Sequence, residues 1–385
     1  PLQEVRRKMD KKEQVYRDLQ KHLDKQAVGY PSTKSGAEIR LLKRFFTPEE
    51  ALLAIHLNYK PRAAGEIYET VKETGKPFDD MVNMLDRMVK NGVIGHMEKG
   101  GTRYFYTLPL VIGMFEGQVY NLTPEFITDV REYISDKAFG LEFLSTELPQ
   151  MRTIPVGKSI RQEHHVATYD QLIGIIEETD GPIVINECIC RKIEAMGGNP
   201  CQKTSRLETC MAFGNIAKNC VQAGMGRVIG KEEARDIAGQ NESDGLVLQP
   251  SNTRKVDFVC ACCGCCCGML RLHRMLAKPV NFWSTSYYAA VNPGDCTGCG
   301  ACVDRCQVNA LRIGKSLGIP GVNPDRCIGC GNCVSSCPSG AICLVKKEEE
   351  TIPPVDSEDL YDTIMANKKT TLRKTRLVAR LILKK

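Results

Sequence analysis

Apolar and polar positions alternate with a helical period through the first third of the chain and give way to short β-branched runs further on. "TPEEALLAIHLN" opens with Thr47, Pro48 and Glu50, a capping box with proline at the first helical position. The pattern predicts two more helices, Ala63 to Thr74 and Asp79 to Lys90, stopped by Gly75 and Gly92. "VIGHMEKGGTRYFYTL" then predicts two strands turning at Gly100 and Gly101. Ahead of these, Val5, Met9, Tyr16, Leu19 and Leu23 form a seam that Lys12 breaks, so this amphipathic helix needs something to dock on. In the middle, "GPIVI" predicts a buried strand, Lys231 to Gln240 a surface helix bearing Glu232, Glu233 and Asp236, and Leu246 to Leu248 another strand.

Three helices and a hairpin over roughly residues 44 to 112 resemble a winged helix. The resemblance raises DNA binding, and charge argues against it. The presumed recognition helix, "PFDDMVNMLDRMVKNG", turns Asp79, Asp80, Asn83, Asp86 and Arg87 outward, while nucleic-acid affinity rests on cationic neutralisation of phosphates. Lys99 and Arg103 in the wing are too few to reverse that face. Met81, Met84, Leu85 and Met88 suit a core, and protein interaction is the favoured role.

A chain of 385 residues implies two or three domains, and with 42% hydrophobic and 25% charged residues it has enough apolar material to fold without disulfides. The 20 cysteines therefore call for another explanation. The charged opening "PLQEVRRKMDKKEQ" lacks the apolar core of a secretory signal, so none is expected, and no run approaches the ~18 apolar residues of a membrane span. A reducing cytoplasm is expected, where unpaired thiols serve as metal ligands or catalytic groups.

The last cysteines read "CTGCGACVDRC" from Cys296 and "CIGCGNCVSSCP" from Cys327, each spaced CxxCxxCxxxC. That spacing holds a [4Fe-4S] cube with three close thiolates while the fourth crosses to a second cube. Cluster 1 is expected to use Cys296, Cys299, Cys302 and Cys337, and cluster 2 Cys327, Cys330, Cys333 and Cys306. Gly298, Gly300, Gly329 and Gly331 fit backbone running close to a cube. Zinc, the competing use of such thiols, has no need of two repeats with a crossing ligand. From "YYAAVNPGDC" through "NALRIGKSLGIPGVNPDRC" to "SGAICLV", residues 284 to 346 closely resemble bacterial two-cluster ferredoxin domains. The resemblance implies a small pseudo-symmetric α+β fold whose cubes exchange electrons. Gln307 departs from the pattern, standing where such domains usually carry proline, and is expected to alter the local turn without removing a ligand.

"INECICRKIEAMGGNPCQKTSRLETCMAFGNIAKNC" supplies Cys188, Cys190, Cys201, Cys210 and Cys220 behind the "GPIVI" strand. Cys188, Cys190, Cys201 and Cys210 are the expected ligand set of a further iron-sulfur cluster, with structural zinc or inert buried thiols as rivals. In "CACCGCCC", Cys260, Cys262, Cys263, Cys265, Cys266 and Cys267 cannot all meet one metal, because neighbouring side chains diverge along any backbone. Part of the octet is expected to complete the earlier shell and the rest to hold another cluster, giving one or two beyond the ferredoxin pair. The combined pattern is similar to that of ferredoxin-like proteins of anaerobes, which implies a redox role.

Other motifs are bland. Gly224, Gly226 and Gly230 do not form a dinucleotide fingerprint, and His164 and His165 read as a loop pair. The total charge of +6 is uneven: "NKKTTLRKTRLVARLILKK" carries eight basic residues and no acid. As a helix it would align Leu377, Val378, Leu381 and Ile382 between Arg373, Arg376, Arg380 and Lys384, a tail suited to an acidic partner or an anionic membrane.

The sequence thus predicts an α+β multidomain chain: a charged helical docking segment (1–43), a winged-helix-like domain and following helix (44–145), a central Cys-rich α/β domain (146–283), a dicluster ferredoxin domain (284–346), and a linker with the basic tail (347–385). It is expected to be a cytoplasmic electron-transfer subunit of an anaerobic oxidoreductase complex, with the inner membrane face as a further contact and nucleic acid disfavoured. The alternatives are a reductase with a substrate-reducing central cluster and a redox-sensing winged-helix regulator.

Overall fold

In a computed structural model of the chain, residues 2–161, 166–314, 318–348, 352–369 and 377 are described, with side chains described from residue 13 onward. His164 and His165, and the tail beyond residue 369 apart from Leu377, lie outside them. The chain forms two compact units: one takes in the residues up to Glu147 with Lys218–Met225 and the stretch from Tyr361, and the other comprises Leu148–Ala217 and Gly226–Leu360.

The first unit begins with α1 (Leu2–Asp24), α2 (Ala37–Phe45) and α3 (Pro48–Ala54). Thr47 accepts from the Glu50 N–H while Glu50 reaches back to the Thr47 N–H, so both orphan donors of the α3 N-terminus are satisfied. Tyr16, Leu19 and Leu23 of the α1 seam are buried. Next come β1 (Arg62–Ala63), α4 (Ala64–Val71), α5 (Phe78–Lys90), β2 (Ile94–Lys99) and β3 (Thr102–Thr107), the strands forming an antiparallel sheet ordered β1-β3-β2. The hairpin turns on Gly100 and Gly101, both in the left-handed region where glycine is unstrained. Helix α5 buries Met81, Met84, Leu85 and Met88 and leaves Asp79, Asp80, Asn83 and Arg87 exposed, while Asp86 is half-buried and paired with Arg103. Helices α6 (Pro124–Ser135) and α7 (Lys137–Leu144) follow.

The second unit contains α8 (Leu172–Glu178), β4 (Ile183–Glu187), α9 (Ile189–Met196), β5 (Glu208–Ala212) and the start of α10 (Gly214–Gln222), whose residues from Lys218 belong to the first unit. It resumes with β6 (Arg227–Ile229), α11 (Lys231–Ser243), β7 (Val247–Pro250), β8 (Phe258–Cys262) and α12 (Gly268–Met275). Its five strands are ordered β6-β4-β5-β8-β7 and every neighbouring pair is antiparallel. The helices of this region therefore flank an antiparallel sheet and are not crossovers between parallel strands.

Side chains alternate between the two faces of the sheet. Met211, Val259 and Ala261 point into one core, with Ile183, Ile185 and Leu248, where Ile175, Ile176 and Ile237 of the helices cover them. Cys262 and Val247 belong to a second core, which contains Leu270, Ala289, Val308 and Ile328. The chain continues through β9 (Tyr287–Val291), α13 (Ala301–Arg305), β10 (Leu311–Ile313), β11 (Pro320–Val322), α14 (Asn332–Ser335), β12 (Ile342–Lys346) and α15 (Ser357–Ala366). Two antiparallel pairs, β9 with β12 and β10 with β11, and two short helices after Gly300 and Gly331 give this region an approximate internal two-fold repeat.

Candidate metal centres

Cys343 apart, the thiols of the second unit fall into four sets. In the C-terminal region, burial first and then the charge of neighbouring thiols push up Cys327, Cys330 and Cys333; Cys330 reaches about 12. Cys306 is among the neighbours that act on all three, so it stands with the later cysteine run although it ends the earlier one. Cys302 is raised by burial and by the nearby Cys337 and Cys299, the reciprocal crossing. Backbone N–H groups point at these sulfurs: Ala289 donates to Cys327 Sγ at 3.3 Å and Ala310 to Cys306 Sγ at 3.2 Å. Such bonds favour the thiolate and help set a cluster's potential. Gly331 is required by both torsion and space, with φ of 75° and a position where a Cβ would strike the Ser159 hydroxyl.

Gln307 is 1% exposed, and its side chain does more than adjust a turn. Its Oε1 accepts from the Gly264 N–H at 2.9 Å and its Nε2 donates to the Gly245 carbonyl at 3.0 Å, while Arg274 donates to its backbone carbonyl through Nε and Nη2 at 3.1 and 2.8 Å. The residue after Cys306 is thereby fastened to the middle of the cysteine octet, which the proline expected at this position could not do. Gln307→Ala leaves the buried Gly264 N–H unpaired, and is expected to cost about 1–3 kcal/mol of unfolding free energy, read as a lower chemical-denaturation midpoint at unchanged slope.

The octet divides. Cys260 and Cys262 are two residues apart on β8 and share a face. Cys262 neighbours Cys260 and Cys267, Cys267 neighbours Cys190, Cys188 neighbours Cys190 and Cys210, and Cys210 neighbours Cys260. These thiol-to-thiol contacts close a ring of six. Strand pairing makes it possible, since the β5–β8 register that sets Met211 against Val259 continues to Cys210 beside Cys260. Cys188 and Cys267 immediately precede α9 and α12, whose N-terminal dipoles favour anionic sulfur.

Cys263, Cys265 and Cys266 turn the other way and meet Cys201, delivered by the loop after α9; the four sulfurs all lie within 4.8 Å of one another. Sequence spacing groups Cys201 with Cys188, Cys190 and Cys210; the fold places it instead 3.6 Å from both Cys263 and Cys265. Burial opposes its ionisation, but the N–H groups of Lys203 and Thr204 and the Cys263 and Cys265 thiols outweigh that and bring Cys201 down to about 7. Burial pushes Cys263 up to about 11. Cys220 is a buried thiol outside both sets.

Arg191, not singled out by sequence reasoning, is 1% exposed. Its Nη1 donates to Thr209 Oγ1 and its Nη2 to the Ala261 carbonyl, each at 2.5 Å, and no carboxylate pairs with it among the described residues. The negative charges acting on it are those of Cys188, Cys210, Cys263 and Cys262, drawn from both thiol sets. A cation this buried requires compensating charge, and only sulfur is placed to provide it. Its position directly after Cys190 was the available signal. His273 is a core residue: it packs edge-on against Trp283 at 5.1 Å, and burial first, then the Arg326 charge, holds its pKa at about 4, so the ring is neutral.

Residues 295–350 match the family model of the 4Fe-4S dicluster domain. This part of the chain is a ferredoxin-type domain and its complement is two [4Fe-4S] clusters, which the grouping of Cys306 with Cys327, Cys330 and Cys333, that of Cys302 with Cys299 and Cys337, and the N–H donors aimed at sulfur fit. No curated protein and no solved structure matches the chain.

Proposed function

We propose that this protein is an iron-sulfur electron-transfer subunit that relays low-potential electrons within a larger oxidoreductase complex. Cys296, Cys299, Cys302 and Cys337 hold one cube and Cys306, Cys327, Cys330 and Cys333 the other, while Cys188, Cys190, Cys210, Cys260, Cys262 and Cys267 hold a further iron-sulfur cluster. The observation that carries this reading is shared packing: Cys262 and Cys267 of the ring lie in the same hydrophobic cluster as Cys302, Cys327 and Cys333. Iron-sulfur clusters, when bound, accept and release single electrons, at a potential set by cluster type, hydrogen bonds to sulfur and solvent exposure. The chain's own contribution is to fix the thiols, exclude water with Leu270, Ala289 and Ile328, and aim N–H donors at sulfur.

Electron paramagnetic resonance of the partly and then fully reduced full-length protein tests the relay. The signal of the ring cluster should relax faster once the ferredoxin cubes are reduced, because paramagnets sharing one core interact. Relaxation indifferent to the state of the cubes would remove the relay.

The first unit, with its three-stranded sheet behind α5, is proposed as a winged-helix-like docking module for another subunit of the complex. Among the described residues no helix is long and apolar enough to cross a membrane, so the proposed place at a membrane's inner face would be peripheral. The acidic exposed residues of α5 predict no saturable binding to duplex DNA at physiological salt, checked by fluorescence anisotropy. Steeply salt-dependent, sequence-selective binding would favour a redox-responsive regulator instead.

A further inference from the structure

We infer that Cys201, Cys263, Cys265 and Cys266 bind a single tetrahedral metal ion, chemically distinct from the iron-sulfur clusters on the opposite side of the sheet. Sulfurs at the corners of a tetrahedron around one ion, with metal–sulfur bonds of ~2.3 Å, lie about 3.8 Å apart along each edge. The Cys201–Cys263 and Cys201–Cys265 separations are 3.6 Å and the Cys265–Cys266 separation is 3.7 Å. A cube places four irons and four sulfides between its thiolates and spreads them further.

The same molecule supplies the comparison. The ferredoxin thiols, whose complement is two cubes, include no three sulfurs mutually within 4.8 Å, and neither does the six-membered ring; the quartet is the one set this tight among the described residues. The sets also differ in surroundings. Cys260, Cys262 and Cys267 of the ring share a core with the ferredoxin cysteines, whereas Cys263 and Cys266 are buried in the core on the other face, where Cys201, Cys265 and the ring's Cys190 pack against them.

Its place in the chain explains what such an ion would do. Cys201 sits in the long connection between α9 and β5, and the other three sulfurs in the turn between β8 and α12. One ion therefore clips two loops that run on into the ring: Cys190 is on α9, Cys262 ends β8 and Cys267 precedes α12. Four protein ligands close the site, the arrangement of a structural ion with no open position for substrate. Zinc and mononuclear iron share this thiolate chemistry.

The full-length protein purified without oxygen decides the matter by metal analysis with X-ray absorption and Mössbauer spectroscopy. The expected result is one equivalent per chain of either zinc, with four sulfur neighbours near 2.3 Å, or a mononuclear iron tetrathiolate. Absence of both would overturn the inference. A Cys201→Ser, Cys265→Ser double variant is expected to lose that ion and retain the inorganic sulfide of the wild type. Loss of sulfide together with several irons would mean that the quartet holds a cluster, and an unchanged complement of the single ion would mean that the ion sits elsewhere. Should the variant fail to fold, X-ray absorption of the wild type alone separates a single ion from a cluster.

Discussion

Cys306→Ser is expected to abolish the same cube as Cys330→Ser, and Cys337→Ser the same cube as Cys302→Ser. Sequence neighbourhood predicts the reverse grouping, since Cys306 follows Cys302 by four residues and Cys337 follows Cys333 by four. The crossing spacing and the fold override it: Cys306 acts on Cys327, Cys330 and Cys333, and Cys337 acts on Cys302. Each substitution should remove about four irons per chain and replace the interacting spectrum of the reduced pair with the spectrum of one isolated cube. Because the remaining cube differs between the two groups, electron paramagnetic resonance of the four variants sorts them. A Cys306→Ser spectrum that coincides with that of Cys302→Ser would refute the ligand assignment.

Arg191→Met should destabilise the metal-loaded protein by roughly 3–5 kcal/mol, the cost of leaving buried charge without its partner. The same substitution should matter much less after chelation. The guanidinium is 1% exposed and held by Thr209 and the Ala261 carbonyl, with Cys188, Cys210, Cys262 and Cys263 supplying the charge that faces it. Metal-bound sulfurs are anionic, and removing Arg191 strands them. Protonated thiols are neutral, and then it is the arginine that is stranded in the wild type. Arg191→Lys keeps the charge and loses the planar fork, so its loss should be smaller than that of Arg191→Met. Denaturant unfolding of loaded and chelated protein, with and without each substitution, measures the difference. An equal cost in both states would show that Arg191 balances no metal-bound sulfur.

What could be read from the sequence was what local spacing encodes. The CxxCxxCxxxC runs, the Thr47–Glu50 capping box and the glycine turn of the β2–β3 hairpin are each decided within a dozen residues, and the corresponding elements are present. Divergence of neighbouring side chains in the octet was legible for the same reason. Which outside cysteine joins which half was not. Cys201 reaches Cys263 and Cys265 because of the path of the loop between α9 and β5, and Cys210 reaches Cys260 because β5 pairs with β8, both matters of tertiary register that no local pattern records. Helix α2 is hidden in the sequence because its "AEIRLLKRF" stripe lies inside a segment whose charge dominates its pattern. Gln307 was visible as a departure from the ferredoxin pattern, but its bonds to Gly264 and Gly245 depend on chain more than 40 residues away.

The central claim is that the ring of Cys188, Cys190, Cys210, Cys260, Cys262 and Cys267 grips an iron-sulfur cluster beyond the ferredoxin pair. Acid-labile sulfide and iron quantified in full-length protein purified without oxygen test it most directly. The account predicts about twelve or more irons per chain, with sulfide to match. Roughly eight of each, with the ring thiols open to alkylation, would contradict it.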